Sequence, residues 1–364
     1  MIRIVISTVL FFVTAPCFPA QGRSQAWDGN IRTRDGVRII TNNGKPIDPN
    51  GILKVEKEKT IGAEKEVTSF DVDGRGNVYL IDRSAAEIKV FNPQGEKTST
   101  FGKKGQGPGE FQLPVFIRVG SERLTVFDFL SRRVVHLSLE GTQIDQKSSL
   151  RPFAPIGVDS RGYWVGTTSL APPPIGGIEL RKYDPDLNSI LEIYREEPDY
   201  SQKDKRELAI GKPSVQCALS GQGEIFWGLP DRYEIKVIDQ NGKLSRIIRN
   251  KFDRQTISAE DREIYEDEYK RFPGKLVFSD SWPAYKGLSL DNQGRLFVET
   301  YKKEKSTMTS FYDIFDAEGR LIARQAIAAR INNRSVWKDG YLYTIESDEE
   351  GYQSVVRHRL KWTT

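Results

Sequence analysis

The sequence predicts an all-β fold built from repeated four-stranded units, and three observations lead to this prediction. Hairpins of one type recur along the chain, each with an apolar run, a turn containing Gly and a second apolar run. Further strand-like runs follow most of these hairpins. The last unit is one strand short, and the N-terminal region holds a spare strand. The 364 residues, with 31 Gly and 18 Pro spread along them, exclude a coiled coil or a collagen.

The first unit shows the pattern most fully. The sequence FDVDGRGNVYLID at 70–82 indicates two strands around a tight turn, because alternating apolar residues flank Asp-Gly-x-Gly-Asn. A third strand follows at 88–91 and a fourth at 97–101. The pattern recurs at 124–128 and 133–137, and the opening hairpin is repeated at 157–165, 219–227, 288–298 and 336–343. Intervals of roughly 40 to 70 residues are typical of a radial or solenoidal repeat.

The ends of the chain favour a closed ring over an open solenoid. The last unit stops after three strands, at 335–338, 341–346 and 352–362. The segment Leu53–Gly62 resembles the fourth strand Lys97–Gly102 of the first unit. An N-terminal strand that completes the C-terminal blade would satisfy an otherwise open sheet edge. We therefore predict a six-bladed β-propeller with four-stranded antiparallel blades, and residues 36–41 could add one more edge strand.

One connection carries a family resemblance. The sequence FGKKGQGPGEF at 101–111, with Pro114 after it, resembles the inter-blade signature of NHL repeats, as found in secreted bacterial six-bladed propellers. The resemblance is specific over the Phe70–Pro114 unit, while the other units keep only the hairpin pattern. It implies a propeller that binds proteins or other ligands.

The N-terminus is typical of a secretory signal peptide, which we place at residues 1–26. Arg3 precedes the apolar stretch Ile4–Ala15, which is too short to span a bilayer. Cleavage could follow Ala20 or Ala26. A lipid anchor at Cys17 and an uncleaved anchor helix remain alternatives. We expect a secreted or periplasmic bacterial protein with an N-terminal extension at 27–51 and the propeller at 52–364.

The net charge limits the kinds of partner that we expect, and the cysteine content limits the disulfides that the chain could form. Lys and Arg number 54 against 50 Asp and Glu, so the net charge is only +4. The composition therefore gives no reason to expect binding to nucleic acid or to a membrane surface. Cys17 and Cys217 are the only cysteines, so the mature chain has no internal disulfide. We expect a monomer with no transmembrane span, whose partner is a protein, peptide or glycan of the cell envelope.

Two insertions break the repeat, near 197–214 and 253–281. The first is polar and loop-like. The second has Ser258 and Asp261 in a capping arrangement, which predicts a short helix continuing to Arg271. Both follow the fourth strand of one blade, so we expect them to crowd one mouth of the central channel and to form a binding surface.

The candidate site is the polar rim of that mouth. A cluster of Arg and Lys with an aromatic residue suits an acidic peptide, a carboxylate or a glycan. The predicted residues are Arg83, Lys103, Lys104, Arg132, Arg133, Asp231, Arg232 and Tyr233.

We predict no catalytic residue and no metal ligand. Asp159 and Asp291 could be considered for calcium, but their spacing follows the turns of the repeat. The two histidines, His136 and His358, fall in predicted third strands, away from the axis where a metalloenzyme would need them. No cofactor is expected, with calcium as the open exception. The leading hypothesis is a non-catalytic binding propeller, and the alternative is a metal-dependent lactonase or lyase acting at the channel.

Overall fold

The computed structural model describes residues 26–172, 175–202, 206–304, 307 and 309–363. Within this part, the chain forms an all-β ring of six blades around a channel. Each blade has four antiparallel strands, and the helix α1 (Ala259–Glu268) is the only α-helix of the described segments. None of the helices in the described residues is long and apolar enough to cross a membrane. The predicted signal peptide lies outside these residues except for Ala26, and Cys17 lies outside them too.

Three strands precede the first complete blade, and blade 1 follows them directly. In blades 1 to 5 the first strand lines the channel, and in blades 1, 2, 3 and 5 the fourth is outermost. The N-terminal strands are β1 (Asn30–Arg34), β2 (Val37–Asn42) and β3 (Leu53–Glu64). Blade 1 contains β4 (Val67–Val72), β5 (Val78–Asp82), β6 (Glu87–Phe91) and β7 (Lys97–Phe101).

Blades 2 and 3 repeat this order. Blade 2 contains β8 (Pro114–Val119), β9 (Arg123–Asp128), β10 (Arg133–Ser138) and β11 (Gln143–Ser148). Blade 3 contains β12 (Ala154–Val158), β13 (Trp164–Ser169), β14 (Ile178–Tyr183) and β15 (Ser189–Glu196).

The first insertion follows blade 3, and the second follows blade 4. The first contains a short 3-10 helix (Tyr200–Gln202) and β16 (Glu207–Ile210). Blade 4 contains β17 (Gln216–Leu219), β18 (Ile225–Gly228), β19 (Glu234–Ile238) and β20 (Leu244–Asn250). The second insertion contains α1 (Ala259–Glu268) and β21 (Lys275–Phe278).

Blades 5 and 6 complete the ring. Blade 5 contains β22 (Gly287–Leu290), β23 (Leu296–Lys303), β24 (Ser310–Phe315) and β25 (Leu321–Ala326). Blade 6 contains β26 (Val336–Lys338), β27 (Tyr341–Ser347) and β28 (Gln353–Trp362). Its outermost strand is β3, which pairs antiparallel with β28, so that Leu53 lies opposite Trp362. This is the pairing that the missing-strand pattern predicts.

The turns between the first and second strands explain why the hairpin sequence recurs. The Oδ1 atom of Asp73 accepts hydrogen bonds from the backbone N–H groups of Arg75 and Asn77, both at 2.8 Å. Gly76 lies between them with φ +82°, a value that an L side chain rarely adopts. Asp159 and Asp291 accept the same two bonds in their own turns. The repeated Asp and Gly therefore serve turn geometry.

Six hydrophobic clusters hold the blades together, one at each blade interface. The cluster between blades 6 and 1 contains Ile61 and Val355 from blade 6, packed against Phe70 and Leu80 from blade 1. The other five interfaces each have a cluster of the same kind. Since each fully buried apolar side chain contributes about 1.5–3 kcal/mol, the ring is held together without a disulfide in the described residues, where the one cysteine is buried and free.

The N-terminal extension runs along the outside of the ring. The β1–β2 hairpin extends blade 4, because β2 pairs parallel with β20. The chain then passes blade 5, where the Asp48 N–H donates to Ile322 O at 2.9 Å, before β3 joins blade 6. The sequence suggested one edge strand at 36–41; the structure has a two-stranded hairpin.

The two insertions form one layer. Their strands β16 and β21 pair in parallel, and Ile210, Ile257 and Trp282 form a small buried cluster beneath them. Ser258 caps α1 as predicted, because its Oγ accepts from the Asp261 N–H at 3.0 Å and the Asp261 carboxylate accepts from the Ser258 N–H in return. The helix ends at Glu268, slightly before the predicted end.

Candidate functional site

The start of each inner strand lies beside the turn between the second and third strands of the same blade. In blade 1 the Arg83 N–H donates to Glu66 O at 3.0 Å, and in blade 2 the Phe129 N–H donates to Leu113 O at 2.9 Å. These turns and the connections between blades therefore share one face of the ring.

The insertion layer lies on this same face. The Arg254 guanidinium and the Ala284 N–H donate to Asp231 O and Pro230 O, both at 2.8 Å, and both acceptors belong to the turn between β18 and β19. We call this side of the ring the insertion face.

A cavity of about 420 Å³ opens at the channel mouth on the insertion face. It is lined by the inner strands of blades 1, 2, 3 and 6 and by the loops next to them, and we call it the mouth cavity. Its size is that of a site for a small ligand or a single peptide side chain with its flanking groups. Its apolar wall consists of Leu113, Val115, Phe116, Phe129, Pro155 and Ile156.

Two aromatic rings make this wall rigid. Phe116 meets Trp164 edge to face with ring centroids 5.3 Å apart. Phe116 and Phe129 both pack against the cluster between blades 2 and 3, which contains Phe127 and Phe153. The wall is thus an extension of a core, which holds its shape without a ligand.

The charged groups of the mouth cavity are three arginines and one carboxylate, Asp71. Arg83 forms an ion pair with Glu66 just outside the cavity. Arg118 Nε lies 3.6 Å from Asp71 Oδ2, and that oxygen also accepts from the Val119 N–H at 2.8 Å. Two of the three arginines therefore have a carboxylate beside them.

Arg334 is the third arginine, and it differs from the other two. Among the described residues its side chain makes no ion pair and no hydrogen bond. Arg334 is exposed to solvent, although neighbouring residues surround part of its side chain. Partial burial and the neighbouring charge of Arg330 both lower the pKa of the Arg334 guanidinium. The mouth cavity thus has one cation whose charge no group of the described chain balances.

The predicted rim residues are only partly brought together. Arg83 lines the mouth cavity. Lys103 and Lys104 are exposed in the connection between β7 and β8, where Lys103 Nζ lies 3.1 Å from Glu110 Oε1. Arg132 is exposed in the turn before β10, with φ +51°.

The structure corrects two of the predicted rim residues. Arg133 is buried, donating to Gln146 Oε1 at 2.8 Å and to Glu110 O at 2.7 Å. Tyr233 is buried between blades 4 and 5, and its hydroxyl donates to Asp313 Oδ2 at 2.7 Å. Burial and the Asp313 charge raise the pKa of Tyr233 well above its usual value. Each of these two residues follows a tight turn, and its side chain points into the protein, where it is hydrogen-bonded. Neither residue therefore forms part of the rim.

The two remaining rim residues belong to a different depression. Asp231 and Arg232 line a cavity of about 330 Å³ between blades 3 and 4, together with Tyr194 and Trp227. The face of Trp227 is covered by Lys236, whose Nζ lies 4.8 Å from the ring centroid. This second cavity is separate from the mouth cavity, and the two share no lining residue.

The groups considered for metal chemistry are engaged elsewhere. Asp159 and Asp291 are held in turns on the face opposite the insertions. His136 and His358 lie in the third strands β10 and β28, as predicted, and desolvation lowers the pKa of both. In the part of the chain that the structure describes, no group of three or more His, Cys, Asp or Glu residues could hold a metal ion.

The sequence alone did not identify the residues that form the aromatic wall of the mouth cavity, nor the arginine that lacks a carboxylate partner in the described part of the chain. Phe116 and Phe129 looked like ordinary strand residues. Arg334 lies in the connection between blades 5 and 6, which has no repeat pattern. The segment Ile327–Ser335 contains two arginines and no carboxylate, but residues 97–109 likewise hold three lysines and no carboxylate, so the sequence carried no distinctive signal for Arg334.

Comparisons with known proteins agree with the fold. The chain is a six-bladed β-propeller, and a family model described as a 6-bladed beta-propeller matches residues 65–157. A Bacteroides fragilis protein, named as a candidate for export, has a TM-score of 0.53 at 12% identity, covering 90% of this chain and 100% of that one. A duf4221 family member from Bacteroides vulgatus has a TM-score of 0.50 at 11% identity, covering 86% and 99%.

These identities are too low to transfer more than the fold. A search of the curated proteins finds no match to this chain.

Proposed function

We propose that this protein is a non-catalytic binding propeller that holds its ligand in the mouth cavity on the insertion face. The observation that carries the proposal is the cavity itself: a rigid aromatic wall of Phe116 and Phe129 faces polar groups at the entrance of the channel. An apolar depression with a few convergent polar groups is the usual form of a ligand site.

The disposition of the ionisable groups supports binding over catalysis. Asp71, the only carboxylate among the described residues of the lining, is engaged by Arg118 and by backbone N–H groups of two strands. A general base needs a carboxylate or an imidazole free to take a proton from a bound substrate. We propose that the protein acts after export in the bacterial envelope, where its ligand would be a peptide, a protein segment or a glycan.

A variant that fills the mouth cavity tests this function. Ala154 lines the cavity and is exposed, so Ala154→Trp adds an indole at the entrance without disturbing the core. The matched control is Ala63→Trp, which places the same side chain on an exposed position of the outer strand β3. Each variant is screened by saturation-transfer NMR against one library of neutral and anionic aromatic fragments.

We expect a set of fragments that bind the wild type and Ala63→Trp but not Ala154→Trp. Fragments that bind all three proteins equally would contradict the proposed site. A wild type that binds none of the library would contradict it as well.

A further inference from the structure

We infer that the ligand of the mouth cavity carries a single carboxylate beside an apolar group, and that Arg334 binds this carboxylate. This inference rests on the proposed function and specifies its ligand. It follows from the charge, the shape and the rigidity of the cavity.

The charge of the cavity calls for one negative group. Arg83 and Arg118 have Glu66 and Asp71 beside them, whereas Arg334 has no carboxylate partner among the described residues. A guanidinium presents a planar fork of N–H donors that fits a carboxylate with two parallel hydrogen bonds. A dianion such as a phosphate ester would need a second unbalanced cation in the lining, and the nearby Arg330 is not part of it.

The shape of the cavity calls for an apolar group joined to that anion. Phe116, Phe129, Val115 and Ile156 line the same space as Arg334. A small fully polar anion such as sulfate would leave this wall in contact with water. A carboxylate that carries an aromatic or branched aliphatic group would instead bury the wall and meet the arginine.

The loop that carries Arg334 is held in place before any ligand arrives. The Arg334 N–H donates to Asn332 Oδ1 at 2.8 Å, and the Asn332 N–H donates to Ser335 Oγ at 3.0 Å. The Ser335 N–H donates back to Asn332 O at 3.1 Å. Since the backbone is fixed by three hydrogen bonds, binding orders only the Arg334 side chain, which keeps the entropic cost small.

The lowered pKa of Arg334 agrees with this assignment. Its causes are partial burial and the repulsion of Arg330, and a bound carboxylate would offset both because its negative charge stabilises the charged guanidinium.

N-acetyl-phenylalanine is the test probe, because it joins one carboxylate to an aromatic side chain. Its primary amide is the matched neutral probe. Dissociation constants are measured by isothermal titration for the wild type, Arg334→Gln and Arg334→Lys. Arg151→Gln is the control, because Arg151 is an exposed arginine in the connection between blades 2 and 3 and does not line the cavity.

We expect the wild type and Arg151→Gln to bind the acid at least about tenfold more tightly than the amide, as a charge-assisted hydrogen bond implies. Arg334→Gln should lose this preference, and Arg334→Lys should keep part of it because it retains the charge without the fork. Raising the salt concentration should weaken binding of the acid and not of the amide.

The possible failures are distinguishable. Equal binding of acid and amide, both abolished by Ala154→Trp, would overturn the carboxylate inference and leave the binding site standing. An acid preference that survives in Arg334→Gln would overturn the role of Arg334. Absence of any probe or fragment sensitive to Ala154→Trp would overturn the proposed function and this inference together.

A longer probe separates the two sources of such a carboxylate. If acetyl-Gly-Gly-Phe with a free C-terminus binds at least as tightly as N-acetyl-phenylalanine, the ligand is a peptide C-terminus. If the peptide binds more weakly, the ligand is a small carboxylic acid. Both results support the inference, and binding that is indifferent to amidation of either probe overturns it.

Discussion

Replacing Asp313 by alanine should destabilise the ring more than any loss of a surface charge. The Asp313 side chain is fully buried between blades 4 and 5. Its carboxylate accepts from the Tyr233 hydroxyl at 2.7 Å, from Asn250 Nδ2 at 3.2 Å and from Arg324 Nη2 at 2.9 Å. Asp313→Ala leaves these three donors without their common acceptor and leaves a guanidinium without its counter-ion.

The size of the effect follows from these contacts. Removing one partner of a fully buried ion pair costs about 3–5 kcal/mol, because the remaining charge stays desolvated. The Arg324 side chain is 31% exposed, so we expect a loss near the lower end of this range, about 3 kcal/mol. Tyr233→Phe removes only one hydrogen bond to the carboxylate, so we expect about 1.5 kcal/mol. A measurable loss of unfolding free energy in Tyr233→Phe, smaller than that in Asp313→Ala, would show that Tyr233 stabilises the fold through this carboxylate. The sequence had instead suggested a role for Tyr233 in the binding rim.

Urea unfolding followed by tryptophan fluorescence measures both variants, with the free-energy change taken from the shift of the midpoint. The matched control is Asp186→Ala, which breaks the exposed pair with Lys147 and should cost about 0.5 kcal/mol or less. If Asp313→Ala lies within about 1 kcal/mol of the control, the buried network does not hold blades 4 and 5 together, and the reasoning is refuted.

Three further predictions concern the rest of the ring. Ser258→Ala should weaken α1 by about 1 kcal/mol, seen as faster amide exchange in that helix alone; unchanged exchange would count against the cap. Gln325→Ala should lower the free energy of unfolding by about 1–3 kcal/mol, because its side chain accepts from two N–H groups at the start of β3; an unchanged urea midpoint would show that this link is dispensable. Desolvation lowers the pKa of His136 and His358, so the folded state takes up a proton less readily than the unfolded chain, whose histidines titrate near about 6.5. Stability should therefore fall as the pH drops below about 6.5, and the difference in urea midpoint between pH 7.5 and 5.5 should shrink in a His136→Gln/His358→Gln double variant; an undiminished difference would assign the effect to other groups.

Most of the fold could be predicted because the blades repeat one local sequence pattern, a strand, a tight turn and a second strand. The Asp at the start of a turn and the Gly near its end, as in Asp73 and Gly76, recur because they suit this turn. In blade 4 Ser220 takes the place of the Asp. The pairing of β16 with β21 was not visible, because two short strands from separate insertions carry no repeat and meet only through tertiary packing.

The site was harder to predict than the fold, for a reason that its residues illustrate. Arg133 and Tyr233 have the side chains expected of a binding rim, yet each directly follows a turn and faces inward. Arg334 was overlooked although its type is the same as that of Arg133. Residue type indicates what a side chain can bind; only its direction and its neighbours decide whether it is already bound within the fold.

The pairing of β3 with β28 has a consequence for how the chain is made. Leu53 is synthesised long before Trp362, its partner in the register. The outermost strand of blade 6 must therefore wait for its partner until β28 has been synthesised, and the ring stays open until then. During that interval β3 and β27 present unpaired edges, and such edges are where β-rich chains associate with one another.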